Sequence, residues 1–227
     1  LITFIPDFVT PDELAQINAG LAAAAFADGS ATAGWHARDV KKNLQLAVGA
    51  AGYEPLGKLI HAALDRNALF QMATRPRFIK PVLFNRYEVG MTYGVHIDDS
   101  IMSVPGIWPG RIRVDVAFTL FLADPGSYGG GELVVDHGGA EQSFKLPAGA
   151  LIAYPATTLH RVAPVTQGAR VAAVGWLQSE LRDPTHRAIA FDLDMARRAE
   201  FGANGKSRNF DLLTKVHANL LHLWAEL

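Results

Sequence analysis

Arg111-Ile-Arg-Val-Asp-Val-Ala-Phe-Thr-Leu-Phe-Leu122 alternates apolar with other residues at a period of two, the repeat of a β-strand with one buried face. The alternation puts Ile112, Val114, Val116, Phe118, Leu120 and Leu122 on one side. Shorter strand-like runs occupy 78–87, 131–136, 150–154 and 169–178. Between them stand Asp124-Pro125-Gly126, Gly129-Gly130-Gly131 and Pro147-Ala148-Gly149, all turn chemistry. Many short strands with turns between them predict an antiparallel sandwich or barrel.

Outward from this zone the period becomes helical. Thr10-Pro11-Asp12-Glu13 supplies an N-cap, a proline for the first helical position and a capping-box glutamate. Leu14, Ile17, Leu21 and Ala24 follow at helical spacing, so a helix is predicted over 11–26. A second is predicted around 54–69, burying Leu56, Leu59, Ile60, Ala63 and Leu64. Asp183-Pro184 opens a third over 184–200, and Leu213, Val216, Leu220 and Leu223 form the apolar stripe of a last one. The class is mainly β with flanking helices (α+β). Residues 1–77 read as N-terminal support, 78–178 as the β core and 179–227 as a helical tail.

With 227 residues, 49% apolar and 19% charged, the chain has the composition of a globular protein. Twenty-one basic and 22 acidic residues leave a net charge of −1 without a dense basic run, which argues against a nucleic-acid or anionic-membrane partner. The absence of cysteine excludes disulfides, thiolate metal sites and a cysteine nucleophile. The opening apolar run stops at Pro6-Asp7, too short for a signal core, and no run reaches the ~18 apolar residues of a membrane span. A cytoplasmic protein is expected. The sequence starts at Leu1 rather than Met, consistent with trimmed or missing residues before it.

Eight histidines are present, and His61, His217 and His222 fall within helical patterns. His96 is followed by Asp98. In an extended segment residues i and i+2 share a face, so imidazole and carboxylate can converge on one ion. Asp99 would point away. His160, after the strand-like run Ala150-Leu-Ile-Ala-Tyr154, can complete a two-histidine, one-carboxylate triad with three open positions on iron(II). The same ligands suit zinc with a bound water. Arg170, ten residues past His160, favours the first reading: on an adjacent antiparallel strand its guanidinium would lie within reach of a distal carboxylate.

Asn85-Arg-Tyr-Glu-Val-Gly-Met-Thr-Tyr-Gly-Val-His-Ile-Asp98, Gly130-Gly-Glu-Leu133, Leu146-Pro-Ala-Gly149, Tyr154-Pro155 and Leu159-His-Arg-Val162 resemble the bacterial PKHD-type hydroxylases. These belong to the prolyl-4-hydroxylase-like branch of iron/2-oxoglutarate oxygenases. The likeness continues through Arg170, Trp176 and Gln178-Ser179 to Leu223-Trp-Ala-Glu226, almost the whole chain. It implies a double-stranded β-helix (jelly-roll) core, iron on His96, Asp98 and His160, and Arg170 on the 2-oxoglutarate C5 carboxylate. Tyr87 matches a tyrosine that in related enzymes contacts the cosubstrate. The expected cofactors are Fe(2+), 2-oxoglutarate and O2, with L-ascorbate as an accessory reductant.

The expected activity is hydroxylation of a peptide, amino acid or small iron-chelating molecule with release of succinate and CO2. The rival readings are a non-catalytic metal/dicarboxylate sensor of the same fold and a zinc hydrolase. Arg111 and Arg113 share a face with Asp115, either at the pocket mouth or on a solvated edge. Ser100–Gly110, rich in proline, glycine and large apolar residues, predicts a loop leaving the metal site. Its Met102, Ile107 and Trp108 read as a substrate lid, or else as a satellite core or the contact of a homo-oligomer.

Overall fold

The computed structural model describes residues 1–104, 106, 108 and 110–226. Two antiparallel sheets dominate them. In the larger, strands run in the order Thr3–Ile5, Leu151–Pro155, Val116–Phe121, Arg170–Ser179, Leu83–Tyr87, Leu44–Leu46 and Ala27–Asp28, and Pro76–Ile79 adds an eighth beside Arg170–Ser179. The smaller has five, in the order Ala140–Phe144, Leu133–His137, His160–Val162, Thr92–His96 and Lys41–Lys42. From Leu83 onward the chain passes back and forth between the sheets: Leu83–Tyr87 lies in the larger, Thr92–His96 in the smaller, Val116–Phe121 in the larger, the hairpin of Leu133–His137 and Ala140–Phe144 in the smaller, Leu151–Pro155 in the larger, His160–Val162 in the smaller and Arg170–Ser179 in the larger. That alternation is the jelly-roll.

Val116–Phe121 is buried along its whole length because both its faces are covered. Val116, Phe118 and Leu120 pack with Ile17, Ile60 and Phe70 from three helices. These are α1 (Pro11–Ala23), α2 (Tyr53–Arg66) and α3 (Ala68–Thr74). Ala117 and Phe121, on the other face, pack with Leu133 and Val135 of the smaller sheet. The larger sheet is therefore the middle layer, and the active cavity opens between it and the smaller one.

The N-terminal capping box forms as read: Glu13 N–H donates to Thr10 Oγ1 at 3.2 Å, and Thr10 N–H to the Glu13 carboxylate at 2.8 Å. α1 ends three residues short of the expected 26, where Ala24 turns extended. The helix predicted over 54–69 is two, because Asn67 ends α2 in an extended conformation and its side chain caps α3. The run 78–87 is likewise two strands, parted at Lys80–Val82.

The stretch 111–122 is not one strand with one buried face. Arg111–Arg113 pairs with Ile101–Ser103, and a new strand starts at Val116. Ile112 and Val114 join the inter-sheet core, whereas Val116, Phe118, Leu120 and Leu122 face the helices. The switch occurs at Asp115, whose carboxylate accepts from Arg113 Nε at 2.7 Å and Ser179 N–H at 2.9 Å. The same pairing corrects the expected loop at 100–110: its base is a β-hairpin with Met102 opposite Ile112.

Helix α4 (Pro184–Asn204) and helix α5 (Arg208–Trp224) form the tail. The stripe expected on α5 holds in half: Leu213 and Leu220 are partly buried. Val216 and Leu223 are 47% and 76% exposed, while His217 is buried. Trp224 stacks on His186 of α4 with ring centroids 4.1 Å apart, which rotates the seam to Leu213, His217 and Trp224. Ile60→Ala is accordingly expected to cost about 2–5 kcal/mol of folding stability through a core cavity. Val216→Ala should stay within roughly 0.5 kcal/mol. Urea unfolding midpoints of the two variants test the assignment, and equal losses would contradict it.

Candidate active site

His96 and His160 stand directly opposite each other on the paired strands Thr92–His96 and His160–Val162. Asp98 follows just past the end of its strand. One ligand atom from each of the three residues can be chosen so that all lie within 4.8 Å of one another. Asp98 Oδ2 is 3.7 Å from His160 Nε2. Both imidazoles are oriented through their far nitrogen: His96 Nδ1 lies 2.8 Å from Gly94 O and His160 Nδ1 3.1 Å from Thr158 O. A carbonyl only accepts, so each Nδ1 carries the proton and each Nε2 presents its lone pair to the site.

Burial, and next the neighbouring His160, lowers the His96 pKa to about 3, so its ring is neutral and free to ligate. Burial pushes the Asp98 carboxyl up, and its Oδ2 has no hydrogen-bond partner among the described residues. Tyr93 stacks on His96 with centroids 3.5 Å apart, and Tyr154 stands edge-on to His160 at 5.3 Å. Three convergent donors, one of them an orphaned carboxylate oxygen, make a site that a divalent cation would complete.

Arg170 closes the same cavity, which has a volume of about 520 Å³. It is 1% exposed, and neither Nε nor Nη1 has a hydrogen-bond partner among the described residues. No carboxylate pairs with it there; its neighbours are the rings of Tyr87 and Phe121, 5.3 and 5.5 Å from the guanidinium. A buried cation without a counter-charge is costly, and the ligand it lacks is an anion. The sequence reading placed Arg170 on a strand adjacent to His160. It stands instead on the facing sheet, opposite Tyr87, because the chain crosses between sheets at Pro164–Ala169.

Gly131 permits this approach: at φ 69° it sits where a Cβ would come within 3.2 Å of Arg170 Cδ and 3.1 Å of the Tyr128 ring. Tyr87 is buried, and burial pushes its phenol up to about 12, so it keeps its proton.

Other expected residues fall elsewhere. Asp99 is exposed on the cavity rim and outside the three-residue cluster. Arg113 is held away from the cavity by Asp115 and by Glu226 at 2.7 Å. Met102 lines the cavity, Trp108 is 94% exposed, and Ile107 lies outside the described residues.

Sequence reasoning missed Lys41, Asn43 and Gln45, all buried, whose i, i+2, i+4 spacing was the available signal. Asn85 Oδ1 accepts from Asn43 Nδ2 at 2.8 Å and from Gln45 Nε2 at 2.6 Å.

The model of the 2OG-Fe(II) oxygenase superfamily matches residues 82–178. A PKHD-type hydroxylase of Synechococcus sp. (strain JA-2-3B'a(2-13)) is 51% identical over 227 residues, covering 100% of both chains. The chain belongs to the PKHD-type hydroxylases. Its cofactors are accordingly iron(II), 2-oxoglutarate and O2.

The chain shares its fold with a Pseudomonas putida prolyl-4-hydroxylase: TM-score 0.51 at 18% identity, over 78% of this chain and 92% of that one. It is similar also to a Trichoplax adhaerens prolyl hydroxylase in complex with a hypoxia inducible factor peptide fragment. That match has a TM-score of 0.54 at 14% identity and covers 83% and 86% of the two chains. The residues present fit the cofactors of PKHD-type hydroxylases, since the donors His, Asp and His suit iron and the orphaned guanidinium suits a dicarboxylate.

Proposed function

We propose that His96, Asp98 and His160 hold iron(II), that Arg170 binds the far carboxylate of 2-oxoglutarate, and that the enzyme hydroxylates a C–H bond of a small-molecule or peptide substrate, releasing succinate and CO2. The observation that carries this reading is the buried guanidinium of Arg170, its Nε and Nη1 without a partner among the described residues, in one cavity with three convergent metal donors.

Iron, 2-oxoglutarate and O2 together supply the oxidising chemistry. The chain supplies placement. Gly94 O and Thr158 O fix the imidazole tautomers. Arg170 sets the depth of the cosubstrate by a two-pronged, charge-assisted contact, and the protonated Tyr87 beside it offers a hydroxyl donor to the same carboxylate. Tyr93 and Tyr154 pack against the ligand rings and keep water from their flanks. Residues 1–77 act as support, 78–178 as the catalytic core and 179–227 as a tail. The backbone bridge between Leu181 and Ala225 and the Arg113–Glu226 pair support this role for the tail.

The test is succinate release from 2-oxoglutarate by protein reconstituted with iron(II) or with zinc. Release with iron alone supports the oxygenase reading. Zinc-supported hydrolysis would favour the hydrolase, and metal and 2-oxoglutarate binding without turnover would favour the sensor.

The hairpin around Trp108 is proposed as a substrate lid, supported by Ile101, Met102 and Ser103 at the cavity wall. Trp108→Ala should leave thermal stability, iron binding and 2-oxoglutarate binding unchanged, because the side chain is exposed. Substrate-coupled turnover should fall while uncoupled decarboxylation persists. Lower stability with intact coupling would assign Trp108 to packing.

A further inference from the structure

Arg170 is not the only cation in the cavity. Lys41 lies on the outer edge strand of the smaller sheet, paired with Tyr93, whereas Arg170 comes from the larger sheet. Only 7% of Lys41 is exposed. Its ammonium sits 5.2 Å from the centre of the Tyr93 ring, the ring that stacks on His96. Among the described residues its one hydrogen bond is to Thr32 Oγ1 at 2.8 Å.

Thr32 is itself fixed, donating to Gln45 Oε1 at 2.7 Å, and Gln45 donates to Asn85. Lys41 is therefore held in place at the cavity wall, with two of its three N–H donors unused among the described residues. No carboxylate forms an ion pair with it among the described residues. The two that act on it from a distance are Asp98 and Asp28, and Asp98 would be neutralised by the metal it ligates. Burial lowers the ammonium to about 8, so it is still charged at neutral pH. The other cavity lysine, Lys80, feels the charge of Asp99.

We infer that Lys41 is a substrate-recognition residue that binds a carboxylate of the molecule to be hydroxylated. The inference rests on the cosubstrate reading above: with one carboxylate of 2-oxoglutarate at the metal and the other at Arg170, Lys41 has no anion left from the cosubstrate. A single ammonium matches one singly charged group rich in acceptor oxygens, as a carboxylate is. The cavity is also lined by the exposed apolar side chains of Val48, Ile97 and Ile101. The substrate class is then an organic acid with an apolar body, its carboxylate inward at Lys41 and its hydrocarbon against this rim. Lys41 positions the substrate; it does not touch the reacting oxygen.

Calorimetric titration under argon tests the assignment on protein loaded with iron(II) and 2-oxoglutarate, using 3-phenylpropionate and its uncharged amide as probes. A charge-assisted contact should make the acid bind roughly 10- to 150-fold tighter than the amide. Lys41→Met, which replaces the buried charge by an apolar chain of similar length, should erase that preference, and Lys41→Arg should retain part of it. Affinity for 2-oxoglutarate should be unchanged in both variants.

Equal binding of acid and amide to the unmodified protein, including no measurable binding of either, overturns the inference. So does a preference that survives Lys41→Met. A loss of 2-oxoglutarate affinity in Lys41→Met would reassign Lys41 to the cosubstrate. Full 2-oxoglutarate affinity in Arg170→Ala, by contrast, would remove the cosubstrate reading on which the inference rests.

Discussion

Asp98→Ala is expected to lose iron(II) affinity by more than about 100-fold and to abolish turnover. Changes in groups that merely orient a ligand already lower metal affinity by about 10- to 100-fold, so loss of one of three donors should exceed that. Asp98 is the only one of the three donors able to bring negative charge to the cation, and its Oδ2 has no competing hydrogen bond to give up. His96→Ala and His160→Ala should behave alike, since each removes an imidazole whose tautomer is already set for ligation. Asp99→Ala should retain iron, because that carboxylate is exposed and stands apart from the cluster. Anaerobic titration of the metal-free variants with iron(II) gives the answer. Normal affinity in Asp98→Ala together with loss in Asp99→Ala would move the ligand register by one residue.

Arg170→Ala should raise the 2-oxoglutarate requirement roughly 10- to 150-fold while sparing iron, the range set by loss of one charge-assisted contact. Arg170→Lys should recover part of the affinity, since an ammonium cannot reproduce the planar fork. A second consequence has the opposite sign. With cosubstrate absent, Arg170 is a buried charge without a partner, and its desolvation opposes folding. Arg170→Met should therefore unfold at a higher temperature than the parent protein when neither is given 2-oxoglutarate. Adding the cosubstrate should stabilise the parent and leave Arg170→Met unmoved. Thermal melts with and without 2-oxoglutarate measure both effects. A variant less stable than the parent in its absence would mean that the guanidinium has a structural partner, against the reading of an empty anion site.

Local chemistry was legible without coordinates wherever neighbours in sequence decide it. Thr10, Pro11 and Glu13 start α1 because a capping box closes within one turn. The grouping of His96 with Asp98 followed from the two-residue repeat of extended chain. The strand-rich middle with helices on either side followed from a change of hydrophobic period, and it is the architecture observed.

What needed the tertiary structure is whatever depends on which element lies opposite. The alternation from Ile112 to Leu122 runs unbroken through Asp115, so nothing in it reveals that the chain changes partner there and turns Val116 toward the helices. The face of α5 was read half right, at Leu213 and Leu220, because a stripe shows where apolar residues are, while Trp224 stacking on His186 decides which side is covered. His160 finds His96 across a strand pair separated by more than sixty positions, and Arg170 reaches the cavity from the facing sheet.

Lys41 escaped because a lysine in a short polar run reads as solvated. Only the folded chain places it under Thr32 and Tyr93 with its charge turned inward. The sequence by itself determined the helix cap, the strand-rich centre and the family, which short-range sterics, hydrogen bonds and motif spacing encode. Burial and unpaired charge were decided by the packing of the two sheets, because desolvation depends on every group that closes around a residue and not on its neighbours along the chain.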